Sequence, residues 1–185
     1  MKIYTGIGDE GKTTFFGCGL VSKDDPRIEA FGAFDELNSV IGLTMCFIEN
    51  ERVKEILNKI QNDLFQLGAD LVSTNLSGSV PRITKEHINE LESEIDVLQE
   101  KLGMPDKFIL PGGTKSSAFL HLSRVITRRA ERSLVRVQGV LNINKEMLKY
   151  VNRLSDYLYV LARDANKEMS YKEQQPMYKF INGNS

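Results

Sequence analysis

Apolar positions recur at helical spacing over most of this chain. Phe34, Leu37, Ile41, Met45 and Ile48 form one stripe. A second runs through Val53, Leu57, Ile60, Leu64, Leu67 and Leu71, and a third through Ile88, Leu91, Ile95, Leu98 and Leu102. Steps of three and four keep such residues on one side of a helix, so each stripe predicts one packed face. A fourth stripe, Phe119, Leu122, Ile126, Ala130, Leu134 and Val137, follows Gly112-Gly113. The fifth is Met147, Val151, Leu154, Leu158, Leu161 and Ala165. Asp25 ahead of Pro26, and Thr84 ahead of the third stripe, are helix-start signals. Five helices of roughly 20 residues with short connections predict an all-α fold, an antiparallel five-helix bundle. The expected organisation is a single domain over residues 1–185: a glycine-rich N-terminal loop at 1–24, the bundle at 25–170, and a polar, flexible tail at 171–185. Ser, Gly and Pro mark longer loops at residues 76–82 and 104–114.

Composition narrows the partners. Charged residues make up 26% of the chain but the net charge is −1, so no bulk field draws it to nucleic acid or to an anionic membrane. Any bound anion must therefore be held by a local group of cations. No apolar run reaches the ~18 residues a membrane span needs, and the start lacks an apolar leader core. The expectation is a cytoplasmic protein with Cys18 and Cys46 as reduced thiols, too far apart in sequence for a metal or redox motif.

Residues Gly6-Ile7-Gly8-Asp9-Glu10-Gly11-Lys12-Thr13 match the G-x-x-x-x-G-K-[ST] phosphate-loop pattern. That pattern works when a buried strand precedes it and a helix follows, so that backbone N–H groups and a lysine surround phosphate. Here only a short segment containing Lys2 precedes it, and Thr13 to Gly19 is rich in β-branched, aromatic and glycine residues, which start helices poorly. Context argues against a true P-loop. Two readings remain: a glycine turn without a ligand, or a phosphate-binding loop attached to a helical bundle and assisted by cations elsewhere. Lys23 is one such cation.

The fourth helix offers more. Arg124, Arg128 and Arg132 fall at i, i+4 and i+8, on one face. A solvated charged face is the common meaning of such a row. Yet Glu131 is the one acid in the segment 124–132, and the face upstream carries Ser116, Ser117 and His121. Arginines with small neighbours suit another helix, another subunit or a polyphosphate, which guanidinium grips through paired N–H groups. Asp35, Asn38 and Gly42 form a polar side on the first helix, and Asn152, Asp156, Tyr159 and Arg163 one on the fifth. His87 reads as a surface residue and His121 as a packed or interface residue. No metal-ligand cluster and no catalytic base stand out, so a nucleophile supplied by the substrate would fit.

Six segments taken in order resemble the PduO-type ATP:cob(I)alamin adenosyltransferases. They are Thr5 to Thr13, Val21 to Asp25, Phe34 to Ser39, Phe108 to Gly113, Arg128 to Arg132 and Asn152 to Leu158. The resemblance implies a homotrimer with ATP held between adjacent subunits. Thr5, Gly6, Ile7, Gly8, Thr13, Thr14 and Lys23 would bind ATP from the loop. Arg128, Glu131, Arg132 and Asn152 would bind it from the neighbouring subunit, with Mg²⁺ on the phosphates and no metal held by the protein itself. Asp35 and Arg124 would pair across the interface. Arg128 and Phe108 would be the catalytic residues, Phe108 displacing the lower axial base of the cobalamin substrate. From the residues alone Phe108 reads differently, as a core aromatic anchoring its loop. The implied partners are ATP, a corrinoid, a reductase and a downstream adenosylcobalamin-dependent enzyme. A non-catalytic ATP-responsive corrinoid chaperone, or a nucleotide sensor, is the alternative.

Overall fold

A computed structural model describes residues 2–15, 19–72 and 81–178; Cys18, most of the 76–82 loop and the end of the tail lie outside them. The predicted helices are present as α1 (Pro26–Met45), α2 (Glu51–Val72), α3 (Lys85–Leu102), α4 (Lys115–Gln138) and α5 (Lys145–Glu168). Asp25 caps α1, accepting from the Arg27 N–H at 2.9 Å with Pro26 in the first turn. The Arg27 guanidinium lies 2.6 Å from the same carboxylate and holds its pKa below the usual range.

The purely helical expectation needs one correction. β1 (Lys12–Phe15) and β2 (Gly19–Ser22) form an antiparallel ribbon, with Thr13 opposite Val21 and Thr14 opposite Leu20. β-Branched residues favour extended backbone, and strands this short leave no periodicity to read.

The antiparallel expectation holds along the chain but not between all neighbours. α1 and α2 run oppositely, Asn38 and Gln61 each donating a side-chain N–H to the other's carbonyl. α3 and α5 lie side by side in the same direction: Arg153 pairs with Glu92 at 2.6 Å near their starts, and Lys101 with Asp164 at 2.7 Å near their ends. α5 is the hub, with Met147, Tyr150, Val151, Leu154, Tyr157 and Leu158 all buried. α4 also departs from its stripe. Leu122 is exposed and Leu120 buried, while Ser117, Ser123, Thr127 and Ser133 line the packed face. The cause is a close approach by α1, where the Thr44 and Ser123 hydroxyls meet at 2.9 Å. The first part of the expected flexible tail is tied down: Tyr171 N–H donates to the Asn166 carbonyl, and Leu110 N–H to the Gln174 carbonyl.

One polar contact inside this core is open to measurement. The Tyr150 hydroxyl donates to the buried Asp63 carboxylate at 3.0 Å, and burial with that carboxylate raises the phenol pKa. Tyr150→Phe leaves the carboxylate short of a donor and should cost about 1–3 kcal/mol in a urea melt. Unchanged stability would mean that Asp63 is satisfied without it.

Candidate functional site

The glycine segment folds as a turn ahead of the ribbon. Asp9 N–H donates to the Gly6 carbonyl at 3.2 Å, with Gly6 in the left-handed region at φ +73°. Lys23 N–H, just past β2, donates to the Gly11 carbonyl at 2.9 Å and closes the unit. The Lys23 side chain then lies back along the turn, so that a Cβ on Gly8 would stand 3.0 Å from its Nζ. Thr5, Gly6, Ile7, Gly8 and Lys23 are thereby brought together. Thr13 and Thr14, adjacent in β1, point to opposite faces of the ribbon. Lys12 opens a strand, and the next helix begins only at Pro26, so the P-loop geometry is absent. Lys23 also lines a cleft of about 330 Å³ with Glu29, Gly32, Glu36, Arg129 and Ser133, where Arg129 pairs with Glu36.

Across α4 lies a second polar set. Arg132 Nη1 donates to the Arg128 carbonyl at 3.0 Å, and Asn152 Nδ2 to Glu131 Oε1 at 3.2 Å. Arg153 Nη1 fixes the other side of the Asn152 amide at 3.0 Å. Glu131 and Asn152 thus meet across the α4–α5 seam, with Arg128 near the Asp156 carboxyl, while the Arg132 side chain lies back along its own helix. Burial, opposed by nearby Arg153 and Arg128, holds the Asp156 carboxyl above its usual range. Arg124 is half-buried, and burial followed by Arg128 lowers its pKa. Its Nε is buried without a hydrogen-bond partner among the described residues. No Asp35–Arg124 pair forms within the chain, since Asp35 is exposed on α1. Likewise, among the described residues no hydrogen bond or ion pair joins the glycine turn to the α4–α5 set.

The histidines differ from their reading in part. His87 is half-buried rather than superficial, capping α3 by accepting the Thr84 N–H at Nδ1 and meeting Gln66 at 3.2 Å. His121 is packed, as one of its two readings had it. Burial, then Arg124, lowers its pKa to about 4, so it is neutral at physiological pH.

Phe108 is 81% exposed, which overturns its reading as a core aromatic. It stands on the irregular segment between α3 and α4, flanked by exposed Met104 and Leu110. Two residues not singled out as site residues support that segment. Arg163 Nη1 donates to the Gly103 carbonyl at 2.9 Å, and Asn166 bonds both the Gly112 carbonyl and the Thr114 N–H at 3.0 Å. Helical spacing places Arg163 on a polar face, but the loop folding over that face gives no sequence signal.

Comparison with known proteins points one way. Residues 3–165 match the cobalamin adenosyltransferase family. The corrinoid adenosyltransferase of Bacillus subtilis (strain 168) is 41% identical over 170 residues, covering 90% of this chain and 87% of that protein. The corrinoid adenosyltransferase PduO of Salmonella typhimurium is 39% identical over 96% of this chain. The chain spans only 55% of that protein's length and 49% of the Citrobacter freundii PduO, about half of each. Among solved structures is a phenylalanine-to-histidine variant of the PduO-type ATP:corrinoid adenosyltransferase from Lactobacillus reuteri, complexed with cobalamin and ATP. It superposes with a TM-score of 0.90 at 37% identity, covering 95% of this chain and 96% of that one. An arginine-to-lysine variant of the Lactobacillus reuteri enzyme, complexed with ATP, gives 0.89 at 38% identity.

The contact of Lys23 with Gly8 generates a direct test. Gly8→Ala should push the ammonium off the turn while leaving the bundle folded. Loss of one charge-assisted contact should lower the affinity of the turn for a triphosphate probe about tenfold, or ~1.5 kcal/mol, by titration calorimetry. Full affinity would show that Lys23 does not serve the phosphates.

Proposed function

The chain belongs to the cobalamin adenosyltransferase family, and on that premise we propose that it transfers the 5′-deoxyadenosyl group of ATP to the cobalt of cob(I)alamin, releasing triphosphate. The observation that carries the reading is the arginine-bearing α4–α5 seam, where Asn152 is bonded to Glu131 and Arg128 lies near the Asp156 carboxyl. Such a seam suits a polyphosphate leaving group. The reaction asks no nucleophile of the protein. The electron pair of cobalt(I) attacks C5′, a Co–C bond forms, and the C5′–O bond breaks. That bonding pair leaves on the triphosphate oxygen, and cobalt ends as cobalt(III). Alignment and charge stabilisation are left to the chain.

Arg128 and Arg132 take the developing charge on the phosphates, with Glu131 and Asn152 fixing the seam. Thr5, Gly6, Ile7, Gly8, Thr13, Thr14 and Lys23 hold ATP from the glycine turn. Magnesium fits as an ion carried by the triphosphate, given its preference for phosphate oxygens and water. Glu131 and Asp156 would supply carboxylates to it, and the ion would neutralise phosphate charge. Phe108 stands beneath the corrin, where a bulky apolar ring excludes the lower axial ligand and keeps water from replacing it. A reductase supplies cob(I)alamin, and an adenosylcobalamin-dependent enzyme receives the product, in the cytoplasm. No described helix is long and apolar enough to cross a membrane.

Lys23, which lies against the glycine turn, lines the α1–α4 cleft, and Arg128 lies toward α5, so one ATP is best served by two copies. The reading is a homotrimer in which Asp35 of one copy pairs with Arg124 of the next, closing a ring through one repeated contact. Arg124 supports it: burial and the neighbouring Arg128 both lower its pKa, and a carboxylate brought by the next copy would relieve that strain on its charge.

The deciding assay follows adenosylcobalamin spectrally from ATP and reduced cobalamin; binding of both substrates without product would make the protein a carrier. Arg128→Ala should keep the fold and lower ATP affinity and turnover by ~1.5–3 kcal/mol, tenfold to more than a hundredfold. Asp35→Asn should shift light scattering toward smaller species, because a charge left unpaired at a buried interface costs about 3–5 kcal/mol. A monomer in the unaltered protein would sink the shared site.

A further inference from the structure

The Phe108 ring makes its position a backbone problem. At 81% exposure it has little packing to hold it, so its place is set by whatever fixes the segment from residue 103 to 114. Arg163 meets that segment by two routes. Its Nη1 donates to the Gly103 carbonyl at 2.9 Å, where the segment leaves α3. Its Nε lies 3.3 Å from Glu173 Oε2, on the chain beyond α5. The next residue there, Gln174, accepts the Leu110 N–H at 2.7 Å, two positions from Phe108. Arg163 is itself only 9% exposed, although charged. A rigid guanidinium can serve two diverging acceptors at once, whereas an ammonium is a single point of charge. The far end of the segment is held separately. Asn166 bonds Gly112 and Thr114, and Gly113 packs so closely on its amide that a Cβ there would collide with it.

We propose that Arg163 is a positioning residue for the corrinoid half of the reaction: it couples the Phe108 segment to residues 173–174 and so fixes where the ring stands. The inference rests on the role proposed for Phe108. Arg163 touches neither substrate; it acts by holding a contact group within the small tolerance that reactive geometry allows.

The test uses Arg163→Lys, which keeps the charge but loses the fork, and Glu173→Gln, which weakens the second route from the surface. Each is made alone and together with Phe108→Ala in the full chain. ATP affinity and thermal stability should stay close to those of the unaltered protein. With ATP and cob(II)alamin present, the four-coordinate cobalt signal should fall. Turnover from cob(II)alamin should drop about ten- to a hundredfold in Arg163→Lys, and less in Glu173→Gln. Neither change should add to the loss already caused by Phe108→Ala. A normal cobalt signal in both variants, or losses that multiply with that of Phe108→Ala, would overturn the proposal. So would a fall in ATP affinity parallel to turnover, which marks a packing residue. Should Arg163→Lys fail to fold, Glu173→Gln alone carries the comparison. Full signal and turnover in Phe108→Ala by itself would refute the Phe108 role first, an outcome read from that single variant.

Discussion

The last turns of α5 bury Arg163, Asp164 and Asn166 together, and buried polar groups must be partnered. Much of the geometry at that end of the bundle follows. Asp164 draws Lys101 from the end of α3, and that contact raises the lysine's pKa. Asn166 and Arg163 satisfy themselves on carbonyls and an N–H of the α3–α4 connection, which must therefore cross over α5. A helix end that would ordinarily face water is covered instead, and the covering segment carries Phe108.

A second constraint acts through α4. Small hydroxyl residues on its packed face let α1 come close enough for Thr44 to meet Ser123. Serine and threonine hydroxyls tolerate burial there because they also bond to carbonyls of their own helices, as Thr127 does to Ser123 at 2.8 Å. The bulkier cations are left to the other sides of the helix. Arg129 enters the α1–α4 cleft to pair with Glu36, while Arg128 lies toward Asp156 of α5 and Arg132 stays exposed along its own helix. Two separate polar sets on one chain are thus a consequence of packing density.

Helical periodicity made α1, α2 and α5 legible, because each buries large apolar residues against the bundle. On α4 it was right for Ile126, Ala130, Leu134 and Val137 but not for Leu122, which fits the stripe yet faces outward, and it missed the small polar residues that share the buried face. Hydropathy cannot mark a face whose packing depends on small size. The parallel pairing of α3 with α5 was also unreadable, since a stripe says which side is buried but not against what. Within the candidate site, the i, i+4, i+8 spacing put Arg124, Arg128 and Arg132 on successive turns of α4, where Arg132 reaches the Arg128 carbonyl and Arg124 is half-buried. The proximity of Lys23 to Gly8 depends on the ribbon, whose strands were too short to see. Arg163 was placed on a polar face but given no role, and Asn166 was not singled out, because the partners that tie them to the α3–α4 connection are backbone atoms, which carry no sequence signature.

The parallel placement of α3 beside α5 bears on how the chain assembles during synthesis. α1, α2 and α4 can find one another as soon as they emerge. α3 reaches α2 through ion pairs such as Arg52 with Glu94, but its main packing is against α5, a helix made later. At about 5–20 residues per second, the packing face of α3 waits seconds for α5 to leave the ribosome. During that interval it is the surface most open to a chaperone or to another nascent copy.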